Sequence, residues 1–193
     1  MTSTNLTNHF LIALPCLQGS CFEGSLTYIC EHSFTKGAVG IVINKPLQAP
    51  LVSLLENVDI VAKNSDISSL PIYFGGPVQV DQGFVLHRPL GSWDSTSAVT
   101  DDIGLTTSKD ILTALATNSI ADGSSLHDFI VSVGYAGWSP GQLEDEIVQN
   151  SWLSVRADPD IIFDTSYEKR FKAAMDAIGI STLDLASGVY GHA

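Results

Sequence analysis

Residues 25–43 run Ser25-Leu26-Thr27-Tyr28-Ile29-Cys30-Glu31-His32, a four-residue link, then Gly37-Ala38-Val39-Gly40-Ile41-Val42-Ile43. Thr, Tyr, Ile and Val suit an extended, half-buried backbone, and both segments have strand length. The link is short enough for a hairpin, so the two strands are expected to pair antiparallel. Strand side chains alternate, which puts Val39, Ile41 and Ile43 on one face and Val42 on the other. A strand apolar on both faces belongs inside a sheet. Upstream, Phe10-Leu11-Ile12-Ala13-Leu14 reads as another strand that stops at Pro15. Three strands thus arrive with no helix between them, an order that favours α+β over a doubly wound parallel sheet.

Further along, Leu51, Leu54, Leu55 and Val58 recur at helical spacing. A polar loop over 63–70 then leads to a strand at 72–74. Strands are also expected at 83–87 and 129–133, with short β pieces around Ala98 and Val99. A helix over 108–117 would bury Ile111, Leu112 and Leu115. Late strands are expected at 152–155 and 161–163. The last helix opens on a capping box of Thr165 and Glu168, lines Phe171, Ala174, Met175 and Ile178 along one side, and closes at Gly179. The 193 residues are enough for one domain with a core that needs no metal or disulfide.

The strand at 129–133 leads into Gly134-Tyr135-Ala136-Gly137-Trp138-Ser139-Pro140-Gly141-Gln142-Leu143-Glu144. Three glycines in eleven residues imply a backbone path that side chains would obstruct. Ser139 as N-cap, Pro140 at the first helical position and Gln142 three residues on form a capping box. Leu143 and Ile147 of that helix then turn to the core.

The formal net charge is −12, and all the excess lies in residues 56–164, where sixteen acids face Lys63, Arg88, Lys109 and Arg156. Nucleic-acid affinity rests on clustered Lys and Arg, so direct DNA or RNA binding is not expected. An acidic surface leaves room for a basic protein partner. The apolar run at 10–14 is followed by Cys16, but no basic residue precedes Lys36, and Pro15 occupies the place of a small cleavage-site residue. No stretch reaches the length of a membrane span. A cytoplasmic protein is expected, with Cys16, Cys21 and Cys30 as free thiols. The sequence leaves the oligomeric state open.

Seven spaced blocks carry a resemblance. They are residues 10–15, 28–32 and 37–46, Tyr73-Phe74-Gly75-Gly76-Pro77-Val78, Gly83-Phe84-Val85-Leu86-His87, the 134–144 stretch with Asn150 and Trp152, and Gly191-His192-Ala193. In these the chain resembles the YqgE/AlgH family of bacterial proteins, from about Leu6 to the end. The resemblance implies an α+β fold with a bifurcated mixed sheet, part of it closed into a small barrel, surrounded by helices. It supplies no catalytic residues. A link to transcriptional regulation attaches to the family, and the charge distribution counts against direct DNA contact. Gly19-Ser20-Cys21 stands where relatives carry an acidic residue, and Phe171 where a Trp is common.

Several residues carry candidate chemistry. Cys30 and His32, two apart on one strand, would share a face with Tyr28 about 6–7 Å apart. That is too far for a thiol–imidazole hydrogen bond without distortion, so a hydrolase or transferase using Cys30 and His32 is the alternative reading, with Cys30 also a redox candidate. No HExxH, CxxC or DxDxDG spacing is present, so neither a metal nor a cofactor is expected. Gly75-Gly76-Pro77 suits a tight turn better than a phosphate cradle, because no Walker pattern accompanies it. The capped helix start after Trp138 is a natural anion site, yet Glu144, Asp145 and Glu146 would repel an anion there. The favoured reading is a non-enzymatic regulatory module. It would hold a small neutral or cationic ligand, or a protein partner, in a pocket formed by His32, Asn44, His87, Tyr135, Trp138, Gln142 and Glu144. If so, a Trp138→Ala protein should stay folded and lose that ligand.

Overall fold

The structure is a computed structural model describing residues 5–63, 66–67, 70–117 and 125–181. Residues 191–193 and parts of the loop expected over 63–70 lie outside the described residues.

The chain begins with β1 (His9–Ala13), a 3₁₀ turn at Pro15–Leu17, β2 (Leu26–Ser33) and β3 (Gly37–Val42). The expected hairpin is present, and β3 lies between β2 and a later strand, in the interior that its two apolar faces require. Next come β4 (Pro46–Pro50), α1 (Leu51–Asn57), β5 (Pro71–Phe74), β6 (Val78–His87), β7 (Thr96–Ala98), β8 (Gly104–Thr106) and α2 (Lys109–Thr117). After a 3₁₀ turn at Leu126–Asp128 the chain forms β9 (Phe129–Trp138), α3 (Gln142–Val148), β10 (Trp152–Arg156), α4 (Pro159–Phe163) and α5 (Tyr167–Asp176).

The fold is α+β. Among the described residues, eight strands form a curled, antiparallel path in the order β10-β1-β2-β3-β9-β6-β8-β7, with five helices around it. A branch leaves at β9, where β5 pairs in parallel through Ile72 opposite Val131 and carries β4 on its other side. The sheet is therefore bifurcated and mixed as expected. No closed barrel is shown, however: among the described residues the path ends at β10 and β7, which do not pair.

β9 holds the sheet together because it changes partners along its length. Residues 129–135 pair with β6, and residues 136–138 pair with β3. At the changeover two backbones cross at close range. A Cβ on Gly134 (φ +72°) would meet the Gly76 carbonyl oxygen at 2.3 Å, and one on Gly76 would meet the Tyr135 carbonyl carbon at 2.1 Å. Both glycine motifs, 75–76 and 134, are thus halves of one crossing, which accounts for Gly75-Gly76 without a phosphate.

Local signals misled at three points. The segment 161–163 forms α4 instead of a strand, because Asp158 caps it by accepting the Asp160 N–H at 3.0 Å and Pro159 starts it. α3 has Gly141 (φ +80°) as its N-cap in place of Ser139. Only half of that box forms, the Ser139 N–H donating to Gln142 Oε1 at 3.0 Å. α5 is preceded by Ser166 without a side-chain cap, and Thr165 instead donates its hydroxyl to the Asp160 carbonyl.

Among the described residues, three apolar clusters pack the sheet. Phe10, Tyr28, Ile41, Phe84, Ile162 and Met175 join β1–β3 and β6 to α4 and α5. Leu51, Leu55, Ile111, Leu115 and Val131 lie under α1 and α2. Leu11, Ile29, Trp138, Leu143 and Trp152 form a third cluster beneath α3.

Candidate functional site

The α3 corner gathers four of the seven residues expected to form a pocket. The His32 Nδ1 accepts the Leu6 N–H at 3.0 Å, which leaves Nε2 to donate to Glu144 Oε1 at 3.1 Å. Trp138 and Trp152 both donate their indole N–H to Glu146 Oε2, each at 2.8 Å. Gln142 Nε2 donates to the other oxygen of the same carboxylate at 2.9 Å. Of the three acids read from sequence as a barrier to anions, Glu144 and Glu146 are therefore acceptors for ring N–H groups. Phe22 fills the remaining space, stacked on Trp138 at 6.3 Å and edge-on to Trp152 at 5.4 Å. With Trp138 only 6% exposed, this corner is packed core.

The other three residues lie elsewhere. Asn44 joins two turns of chain, accepting the Leu26 N–H at 2.8 Å and donating to the Gly24 carbonyl at 2.9 Å. His87 is fully buried, with Nδ1 on the Pro89 carbonyl at 3.0 Å and Nε2 on the Thr106 hydroxyl at 2.8 Å. Burial holds its pKa below the ordinary histidine value, opposed by the Pro89 bond. Tyr135 packs on Phe84 at 5.4 Å.

Cys30 and His32 do not share a face. The β2–β3 register shifts between Ile29 and Glu31, and the extra residue inverts the alternation after it. Cys30 stays with Tyr28 in the first cluster, whereas His32 pairs opposite Ala38 of the third. Burial also pushes the Cys30 thiol far above its ordinary pKa, away from the thiolate a nucleophile needs.

An open groove of about 660 Å³ lies between β5, the start of β9 and the α4–α5 link. At one end Arg88 donates from Nε to Asp128 at 2.6 Å and from Nη2 to both oxygens of Asp164 at 2.9 Å, with its guanidinium 4.8 Å from the centre of the Phe163 ring. This clamp ties the end of β6 to the Leu126–Asp128 turn and to the end of α4. Bonding to Asp128 raises the Arg88 pKa, against the effect of burial.

The groove is also lined by Tyr73, Tyr167 and Arg170. Arg170 is 5% exposed and donates from Nε to the Thr165 carbonyl at 3.0 Å and from Nη1 to the Ile43 carbonyl. Its guanidinium lies 5.4 Å from the Tyr73 ring centre, and Tyr73 and Tyr167 meet edge to face at 6.3 Å. Burial lowers the Arg170 pKa, opposed by Tyr73, which also hydrogen-bonds it, and by the Glu168 carboxylate. The sequence reading missed this groove, although a signal was available: Arg170 falls on the apolar stripe of α5, three residues after Tyr167 and four before Ala174. An arginine there must be buried with partners or line a site.

Among the described residues there is no group of three or more His, Cys, Asp or Glu placed to hold a metal ion, and no helix is long and apolar enough to cross a membrane.

A family model described as AlgH-like (DUF179) matches residues 10–183. A UPF0301 protein of Dechloromonas aromatica is 49% identical over 193 residues, covering 100% of both chains. One of Azoarcus sp. is 50% identical over 191 residues, 99% of this chain and 98% of its own. The solution structure of the AlgH protein from Pseudomonas aeruginosa is similar at a TM-score of 0.78 and 39% identity, over 100% of this chain and 98% of that one. A crystal structure of a Corynebacterium diphtheriae protein shares the fold at a TM-score of 0.70 and 18% identity, over 98% of this chain and 94% of that one.

Proposed function

The chain belongs to the AlgH-like family, and on that footing we propose that it is a non-catalytic binding module, holding a small molecule or a segment of a protein partner in the groove beside α4 and α5. The observation that carries this reading is the groove itself, a concave site of ligand size with aromatic walls and a few polar groups. It replaces the α3 corner as the place of binding, since Phe22 already occupies the space between Trp138 and Trp152. The residues with catalytic potential support the same reading. His32 and His87 use both ring nitrogens within the fold, and Cys30 is buried on the face away from His32.

A regulatory role would then be exercised through the bound ligand or partner, with no direct contact to nucleic acid. The sixteen acids against four bases in residues 56–164 support that part. Free thiols at Cys16, Cys21 and Cys30 fit a cytoplasmic location.

Native mass spectrometry of freshly purified protein, paired with a pull-down, tests the proposal. Wild type is expected to retain an added mass or a partner that Tyr167→Ala loses while keeping its circular dichroism spectrum. A clean unliganded mass with no partner, or retention unchanged by Tyr167→Ala, counts against the groove. A gel shift at low salt would overturn the exclusion of DNA.

A further inference from the structure

Charge within the groove is unevenly matched. Its two aspartates, Asp128 and Asp164, are both held by Arg88. The neighbouring Glu168 turns its carboxylate onto its own backbone N–H and the Tyr167 and Ser166 side chains, which lowers its pKa. Arg170 is nearly buried and, among the described residues, has no carboxylate within ion-pair distance; Glu168 acts on it only through space, raising its pKa against burial. Its known acceptors are neutral, namely the Thr165 and Ile43 carbonyls and the Tyr73 phenol. A guanidinium carries five N–H donors, so the three acceptors among the described residues leave donors over. Burying a cation with no directly bonded counter-charge is costly, and the cost falls when an anion arrives.

We infer that the groove recognises an anionic group, a carboxylate or phosphate on a compact apolar body, with Arg170 as the cation that meets it and the Tyr73 and Tyr167 rings beside the body. The inference rests on the groove being the binding site, as proposed above. Arginine suits this task because its planar fork matches both kinds of oxyanion. The Arg88 clamp sharpens the selection, since its two aspartates discourage a second negative charge at that end of the groove.

The test is a set of titrations of ¹⁵N-labelled wild type with benzoate, its neutral isostere benzamide, the cation benzamidine, and inorganic phosphate. Benzoate should shift the amide resonances of Tyr73, Thr165, Tyr167 and Arg170 and bind at least tenfold more tightly than benzamide, the margin expected of a charge-assisted hydrogen bond. Added salt should narrow that margin. Phosphate competing at the same resonances identifies the shared oxyanion, and its affinity relative to benzoate tells which acid is preferred. Arg170→Gln should abolish the preference for benzoate and Arg170→Lys should keep part of it. If Arg170→Gln fails to fold, the wild-type comparison with benzamide still decides. Equal binding of benzoate and benzamide in the groove, or a preference for benzamidine, overturns the anion inference and leaves the groove standing. Absence of any groove shift with all four probes overturns both.

Discussion

Glu146→Ala should be among the most destabilising single changes outside the apolar core, although the residue is half-exposed and its helix is only seven residues long. Its carboxylate accepts two indole N–H groups on one oxygen, from Trp138 and Trp152, which are 6% and 2% exposed. Removing the acceptor leaves two nearly buried donors unpaired, at about 1–3 kcal/mol each. Water can enter the space vacated at the rim and recover part of this, so the expected loss is about 2–4 kcal/mol. Glu146→Gln keeps a carbonyl oxygen for the indoles but loses charge assistance and the Gln142 hydrogen bond at the rim, at a cost of about 1 kcal/mol. Urea unfolding followed by tryptophan fluorescence measures both. With a slope of about 2 kcal/mol per M, the alanine midpoint should fall by about 1–2 M and the glutamine midpoint by about 0.5 M. A Glu146→Ala protein as stable as wild type would refute the claim that this carboxylate holds the corner together. Equal losses for both variants would show that charge matters and the acceptor oxygen does not.

The other predictions concern the backbone crossing, the buried histidine and the thiols. Gly134→Ala should cost about 3 kcal/mol, combining a left-handed φ with a clash against the Gly76 carbonyl, whereas Gly19→Ala, equally left-handed but with nothing within 4 Å, should cost about 1 kcal/mol in the same urea assay. Burial lowers the His87 pKa in the folded chain, so below about pH 6.5 the unfolded chain binds more protons there than the folded chain does. Stability should therefore fall with pH from about 6.5, by up to about 1.4 kcal/mol per unit, and level off only below the folded pKa. Urea midpoints at pH 7.5 and 5.5 check this, and His87→Asn should show a shallower dependence. Iodoacetamide at neutral pH should modify exposed Cys16 and Cys21 and spare Cys30 until urea is added, as counted by intact mass. Rapid labelling of Cys30 in the native protein would reopen the nucleophile reading.

Trp138→Ala, attractive from sequence as a ligand-loss variant, is a poor test of binding. Its ring packs against both Phe22 and Trp152, and truncating it should cost about 3–5 kcal/mol, so lost binding would report lost structure.

Local pattern was enough for the strands at 10–14, 25–32 and 37–43, for the helix carrying Ile111, Leu112 and Leu115, and for the α+β class. In these segments hydrophobic period and chain order agree, and neighbours in sequence pair in space. Glycine spacing also marked residues 134–144 as sterically special. The sequence did not reveal what the glycines make room for, because the obstructing atoms belong to Gly76 and Tyr135, brought together by pairing across some sixty residues. The same holds for His32. Strict alternation placed it beside Cys30, and one unpaired residue, defined only against β3, sent it to the other face. The groove is the extreme case. Tyr73, Arg88, Asp128, Asp164 and Arg170 come from four separate parts of the chain, and each looks ordinary alone. Sequence by itself determined most of the elements, the α+β class and the family, since these follow from short-range periodicity and ordered motifs. The tertiary structure alone decided which polar side chains are consumed as internal hydrogen-bond partners and which cation, among the described residues, has no directly bonded carboxylate, because both depend on who meets whom across the sheet.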